Sequence, residues 1–177
     1  MNISLLAINE GDSQHRLYPP PVTEEIRPGV LLRWHCLLIL YHTIQMKFSI
    51  VILGAPYTGE AAETAYRFAQ AVLEKNHEIY RLFFYHEGVH NASSLLTLPQ
   101  DEVQPAQRWQ ELIDQYQLDA VVCIASALRR GVLNETEAKR FSKPASNLMP
   151  DFAISGLGEL IDAALQSDRL ITFGASS

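Results

Sequence analysis

The chain is short of cysteine. Its 177 residues hold two, Cys36 and Cys123, and neither belongs to a CxxC pair, which excludes a disulfide framework and a cysteine-based zinc set. That economy fits a reducing, cytoplasmic setting. Basic residues are in deficit as well: 14 Lys and Arg stand against 20 Asp and Glu, a formal charge of −6. Proteins that grip a nucleic-acid backbone present a clustered basic face, so direct contact with nucleic acid is not expected. Long apolar runs are missing too. The richest stretch, "VLLRWHCLLILYHTIQ" at 30–45, is interrupted by Arg33, His35 and His42 and is too short to span a bilayer, so no membrane contact is expected. The opening "MNISLLAINEGDSQHRLYPPPVTEEIRPG" has no basic region leading into an apolar core, which argues against a secretory signal. The patterns GxGxxG and GxxxxGK[ST] are absent, and with them the glycine and lysine geometry that cradles phosphate.

What is present begins at Met46. The text changes there to "MKFSIVILGAPYTG", which reads as the first strand of an α/β domain with its own start methionine. Residues 1–45 read as an N-terminal appendage, either translated from an upstream start or disordered, and residues 46–177 as one domain of ordinary size. The alternative for the first segment is a docking arm. The acidic excess survives when it is set aside.

Within the domain, apolar runs and helical spacings alternate. "KFSIVIL" (47–53), "EIYRLFFY" (78–85), "LDAVVCIA" (118–125) and "RLITF" (169–173) read as strands. Between them, Ala62, Ala65, Tyr66, Ala69, Val72 and Leu73 share one helical face, as do Trp109, Leu112, Ile113 and Tyr116 in a helix opened by Pro105. "IASALRRG" starts a helix directly after Cys123. "NETEAKRF" carries an Asn134 cap and early acids, and "SGLGELIDAALQS" a helix with Ser155 as cap. The stretch "HEGVHNASSLLTLPQDE" reads as a long loop or a short helix and loop. Such alternation predicts a single-domain, doubly wound, mainly parallel sheet with helices on both faces, whose crevice lies at the carboxyl ends of the strands.

Cys123 falls at such a strand end. The free amides of a following helix and the nearby Arg129 and Arg130 would favour its thiolate, as a nucleophile in sulfur chemistry requires; a buried packing role is the alternative. "GAPYTGE" (54–60) sits where mononucleotide folds hold phosphate, yet without their motifs it reads as a structural turn. His86, Glu87 and His90 could reach the crevice as a base or a metal pair. Two histidines without a third ligand make metal binding unfavoured, and a polar entrance is the better reading.

Taken together, "FSIVILGAPYTGEAAETAYRFAQAVLEKNHEIYRLFFYHEGVHNA", "CIASALRRGV" with "NETEA" behind it, and "SNLMPDFAISGLGELIDAALQSDRLITF" resemble the DsrE-type sulfurtransferases, most nearly the branch serving the tRNA 2-thiouridine sulfur relay. The resemblance covers about residues 46–173 and is collinear. It implies that Cys123, in the "CIxxALRRGV" segment, accepts a persulfide sulfur from a TusA-like carrier and passes it to a TusE-like acceptor for thiolation of the tRNA wobble uridine. It further implies assembly with TusB-like and TusC-like subunits as a heterohexamer of two trimers, and no cofactor. A non-catalytic scaffold subunit, a sulfur-oxidation relay subunit and a mononucleotide-binding module remain as alternatives. Residues 1–45 depart from the family's pattern.

Overall fold

The computed structural model describes residues 45–99, 102 and 104–174; the expected appendage, apart from Gln45, and Cys36 lie outside them. Five strands form one sheet: β1 (Lys47–Ile52), β2 (Glu78–Phe84), β3 (Ala120–Cys123), β4 (Ala153–Ser155) and β5 (Arg169–Phe173). Their order is β4-β3-β2-β1-β5 and every neighbouring pair is parallel. The helices are α1 (Ala61–Glu74), α2 (Pro105–Tyr116), α3 (Ile124–Arg129), α4 (Glu135–Arg140) and α5 (Gly158–Gln166), with a 3₁₀ segment over His86–Ala92. Among the described residues no helix is long and apolar enough to cross a membrane.

Local chemistry sets the ends of these elements. Asn134 Oδ1 accepts the Glu137 amide at 2.9 Å, the cap expected for α4. Pro105 opens α2, where its missing N–H costs nothing. Gln117 closes the same helix in the left-handed region, φ 52, while the next amide, Leu118 N–H, returns to Ile113 O. Two expectations are corrected and one strand is added. Ser155 does not cap α5: it ends β4, and the N-cap position is Leu157 with no side-chain bond. Tyr116 is exposed although it shares the helical face of Trp109 and Leu112, because it is the last residue of α2 and the buried contacts end at Ile113. And β4, only three residues long, was not anticipated, since "AIS" is too short to show a period.

Topology decides which face each helix covers. The crossovers β1 to β2 and β2 to β3 run in one direction, so right-handed connections place α1 and α2 on one face. The return from β4 to β5 runs the other way and places α5 on the opposite face. The first face buries Ile50, Ile52, Leu82, Phe84 and Val122 under Ala65, Ala69, Val72, Trp109 and Ile113. Phe84, Tyr66 and Trp109 meet edge to face there. The second face is smaller: Val51, Phe83, Val121 and Cys123, with Leu53, Tyr85 and Leu160 packed against them.

A charged residue fastens α5 to that second face. Arg81, in β2, has a side chain only 10 % exposed, and it meets Asp119 at 2.7 Å and both Glu159 and Asp162 at 2.8 Å. It also donates to the Glu159 carbonyl, and the Tyr80 hydroxyl donates to Asp162. A buried guanidinium is tolerable only when its donors are answered this fully. The outer side of α5 is apolar instead of polar: Leu157, Ile161 and Leu165, spaced four apart, are exposed, the last by 76 %.

Candidate functional site

Cys123 is the last residue of β3, paired in register with Ser155, and it is also the N-cap of α3. Its backbone is still extended, φ −63 and ψ 119, and the helix starts at the next residue. Strand pairing therefore fixes the position of the thiol and the following turn fixes its direction. The side chain is turned into the second face beside Val51, Phe83 and Val121, and the residue is only 1 % exposed. It carries a free thiol.

The 3₁₀ segment lies against α3, and Cys123 is not among the residues that line the pocket beside it. Gly88 comes so close to the end of β1 that a Cβ would sit 1.9 Å from the Ile52 carbonyl oxygen. His86 takes a positive φ of 54, and its N–H donates to Ser126 Oγ at 3.2 Å. Arg130 crosses from the end of α3 to this segment. Its Nη2 donates to Glu87 at 2.5 Å and lies 3.4 Å from His86 Nδ1, while Nη1 reaches the Ser126 carbonyl at 3.4 Å. That hydrogen bond holds the Glu87 carboxyl below the usual glutamate range against the opposing effect of desolvation, with the charges of Arg130, His90 and His86 assisting. His90 approaches the other Glu87 oxygen at 3.7 Å.

The two histidines and Glu87 come together, and Arg130 joins them, an arrangement centred on Glu87 that the sequence did not show. Arg129 stays apart, exposed on the last turn of α3. The two arginines expected to add positive charge near the thiol differ: Arg130 is engaged by a carboxylate and Arg129 is in solvent. Glu87, His90 and Arg130 line an open pocket of about 540 Å³ together with Ser93 and Asn147. Among the described residues no three His, Cys, Asp or Glu side chains are placed to hold a metal ion. Ser126 was missed in the sequence. Its signal was position: the third residue of a helix that starts beside a candidate thiol, where a hydroxyl can receive a neighbouring amide.

"GAPYTGE" is a turn, as read. Thr58 Oγ1 donates back to the Ala55 carbonyl at 2.9 Å, and Tyr57 and Gly59 take positive φ.

A parallel α/β sheet with a buried free thiol at the carboxyl end of β3 defines a class of α/β protein. The comparisons specify which kind. The DsrE/DsrF-like family model matches residues 46–173, and the chain belongs to that family. A protein of Allochromatium vinosum named as a sulfurtransferase DsrE is 54 % identical over 73 % of this chain and 99 % of its own. A sulfurtransferase TusD homolog of Pseudomonas aeruginosa is 50 % identical over 73 % and 98 %, and a sulfurtransferase TusD of Salmonella newport 43 % over 72 % and 100 %. The crystal structure of the ychN protein of E. coli superposes with a TM-score of 0.58 at 25 % identity, over 72 % of this chain and 99 % of that one. In enzyme class the chain is a sulfurtransferase.

Proposed function

We propose that Cys123 is the sulfur-carrying nucleophile and that the chain is a subunit of a sulfur relay. The observation that carries this is the position of the thiol: a free cysteine ending a central strand and capping the next helix, inside the segment "CIASALRRGV". Cys123 thiolate attacks the terminal sulfur of a TusA-like donor's persulfide. A new S–S bond forms on Cys123, the donor's S–S bond breaks, and the donor thiolate leaves. In the second half a TusE-like acceptor's thiolate attacks that terminal sulfur and Cys123 thiolate departs. Each step moves a sulfur atom between two thiolates, so the exchange is redox-neutral. Because Cys123 is buried, donor and acceptor must uncover it on docking, which makes sulfur transfer conditional on the right partner.

The acceptor then supplies thiolation of the tRNA wobble uridine, and TusB-like and TusC-like subunits complete the complex in two trimers. The exposed Leu157, Ile161, Leu165 and Leu170 support a subunit contact. The acidic charge is consistent with a relay that hands on sulfur without holding tRNA. A second reading, a sulfur-oxidation relay, is favoured by the 54 % identity to the DsrE-named relative. Loss of 2-thiouridine from cellular tRNA on deleting this chain supports the first reading, and unchanged 2-thiouridine the second.

The direct test is intact mass with peptide mapping after incubation with a cysteine desulfurase, cysteine and a TusA-like carrier, partner subunits present. One reductant-labile sulfur on Cys123, absent from a folded Cys123→Ser variant, is the expected result. Sulfur retained by Cys123→Ser, or none on the native protein, overturns the assignment.

A further inference from the structure

Helix α5 is the least deeply packed of the three longer helices. Of its nine residues Ala163 alone is buried, against four residues in each of α1 and α2. Its main ties to the sheet are polar and come from β2: Arg81 to Glu159 and Asp162, and the Tyr80 hydroxyl to Asp162. Segments held by few buried apolar contacts open at a smaller cost than the whole domain unfolds.

The two ends of α5 differ. At the carboxyl end, Ser167 Oγ donates to the Ala163 carbonyl at 2.7 Å and lies 2.5 Å from Ser49 Oγ in β1. The Asp168 amide donates to Lys47 O, and the Lys47 amide to the Asp168 carboxylate, both at 2.8 Å. That end is pinned. The amino end has no side-chain cap; Gly156 precedes it and Gly158 is its first residue. Neither glycine takes a positive φ, and a Cβ at either would meet nothing within 4 Å. Neither conformation nor space therefore requires glycine at these positions. What glycine supplies there is a weak helix start and a backbone free to turn, as a hinge needs.

Leu160, in this amino-terminal half, packs against the cluster of Val51, Phe83, Val121 and Cys123. Leu53 and Tyr85 also pack there, but they continue β1 and β2, and their amides are bonded to Phe173 O and Ile52 O. Among the described residues, α5 is the element outside the sheet that lies on the cluster of the thiol.

We propose that α5 is a latched cover over Cys123. With its carboxyl end pinned to β1, its amino-terminal half lifts at Gly156 and Gly158 when the contacts to Arg81 break, and carries Leu160 off the cluster that holds the thiol. This gives the sulfur-carrier reading of Cys123, on which its use rests, an access step; the motion itself is measurable without sulfur.

The test is the rate at which iodoacetamide alkylates Cys123 in the full chain, read by peptide mapping so that Cys36 is counted separately. The native protein should react slowly, at a rate unchanged by low urea, because a local opening exposes little surface. Gly156→Ala combined with Gly158→Ala should slow alkylation by about two- to fivefold per glycine, with folding intact. Arg81→Met should speed it by about tenfold or more. Val72→Ala, which weakens the core of the first face, should leave it within about twofold, since that face takes no part in the opening. No slowing by the glycine pair, equal acceleration by Arg81→Met and Val72→Ala, or alkylation only where urea unfolds the domain would overturn the cover. Sulfur acceptance is scored apart: if these rates hold and Cys123 takes no sulfur, the relay reading fails and the cover stands.

Discussion

Gly88→Ala puts a single methyl group where the structure has none to spare. The added Cβ would lie 1.9 Å from Ile52 O, 2.7 Å from Ile52 C and 3.3 Å from Leu53 N, all backbone atoms. A carbon approaches a carbonyl oxygen no closer than roughly 3.3 Å in even the tightest favourable contacts, so the segment must retreat by more than 1 Å. It is not free to do so. Ile52 lies in β1 between Phe84 and Phe173, and its carbonyl also accepts the Tyr85 amide at 2.9 Å, while the Gly88 amide donates to Tyr85 O at 2.9 Å. Relief therefore breaks these bonds or displaces the end of β1. An overpacked site of this kind costs about 3 kcal/mol or more, a large share of a total of about 5–15 kcal/mol. Urea denaturation of the full chain followed by circular dichroism should show that loss, with the melting temperature lower by about 10 °C. A loss below about 1 kcal/mol with an unchanged cooperative transition would refute the reasoning, since it would mean the 3₁₀ segment does not press on the strand.

Arg81→Met should cost about 2–3 kcal/mol, below the full value for breaking a buried pair because Asp119, Glu159 and Asp162 are each more than a third exposed. Hydrogen exchange should speed up selectively over α5, and uniform exchange across both faces would contradict the latch. Glu63→Gln tests a pH effect. Its carboxyl is held below the usual 4.5 chiefly by the hydrogen bond from Arg108, with Arg67 assisting against desolvation. The folded value lies below the unfolded one, so the stabilisation is complete above about pH 4.5 and is lost as pH falls through the depressed folded value. The stability gap between native and variant proteins should narrow steadily as pH drops below 4.5, and a gap constant from pH 7 to 3 would exclude the linkage. A chain beginning at Met46 should accept sulfur at the rate of the full chain, as a self-sufficient domain over 46–177 requires; loss of folding or acceptance would assign residues 1–45 a working part.

The sequence by itself determined whatever depends on neighbours a few residues apart. Apolar runs such as "KFSIVI" and "RLITF" specify strands, Ala62, Ala65, Ala69 and Val72 specify the buried side of α1, and Asn134 specifies where α4 starts. Each signal is written in one continuous stretch, and so is the step from "AVVC" into "IASALR" that puts Cys123 at a strand end. Tertiary structure decided what needs several distant segments at once. Arg81 looks like a charge on a strand until Asp119 arrives from the β3 approach and Glu159 and Asp162 from α5. Arg130 looks free until the 3₁₀ segment brings Glu87 to it. Strand β4 exists because β3 offers an unpaired edge to three residues with little preference of their own. The burial of Cys123 is likewise tertiary: after β4 the chain crosses back over the sheet to β5 and lays α5 on the second face, where Leu160 packs against the cluster of the thiol, Phe83 and Val121, with Tyr85 beside it.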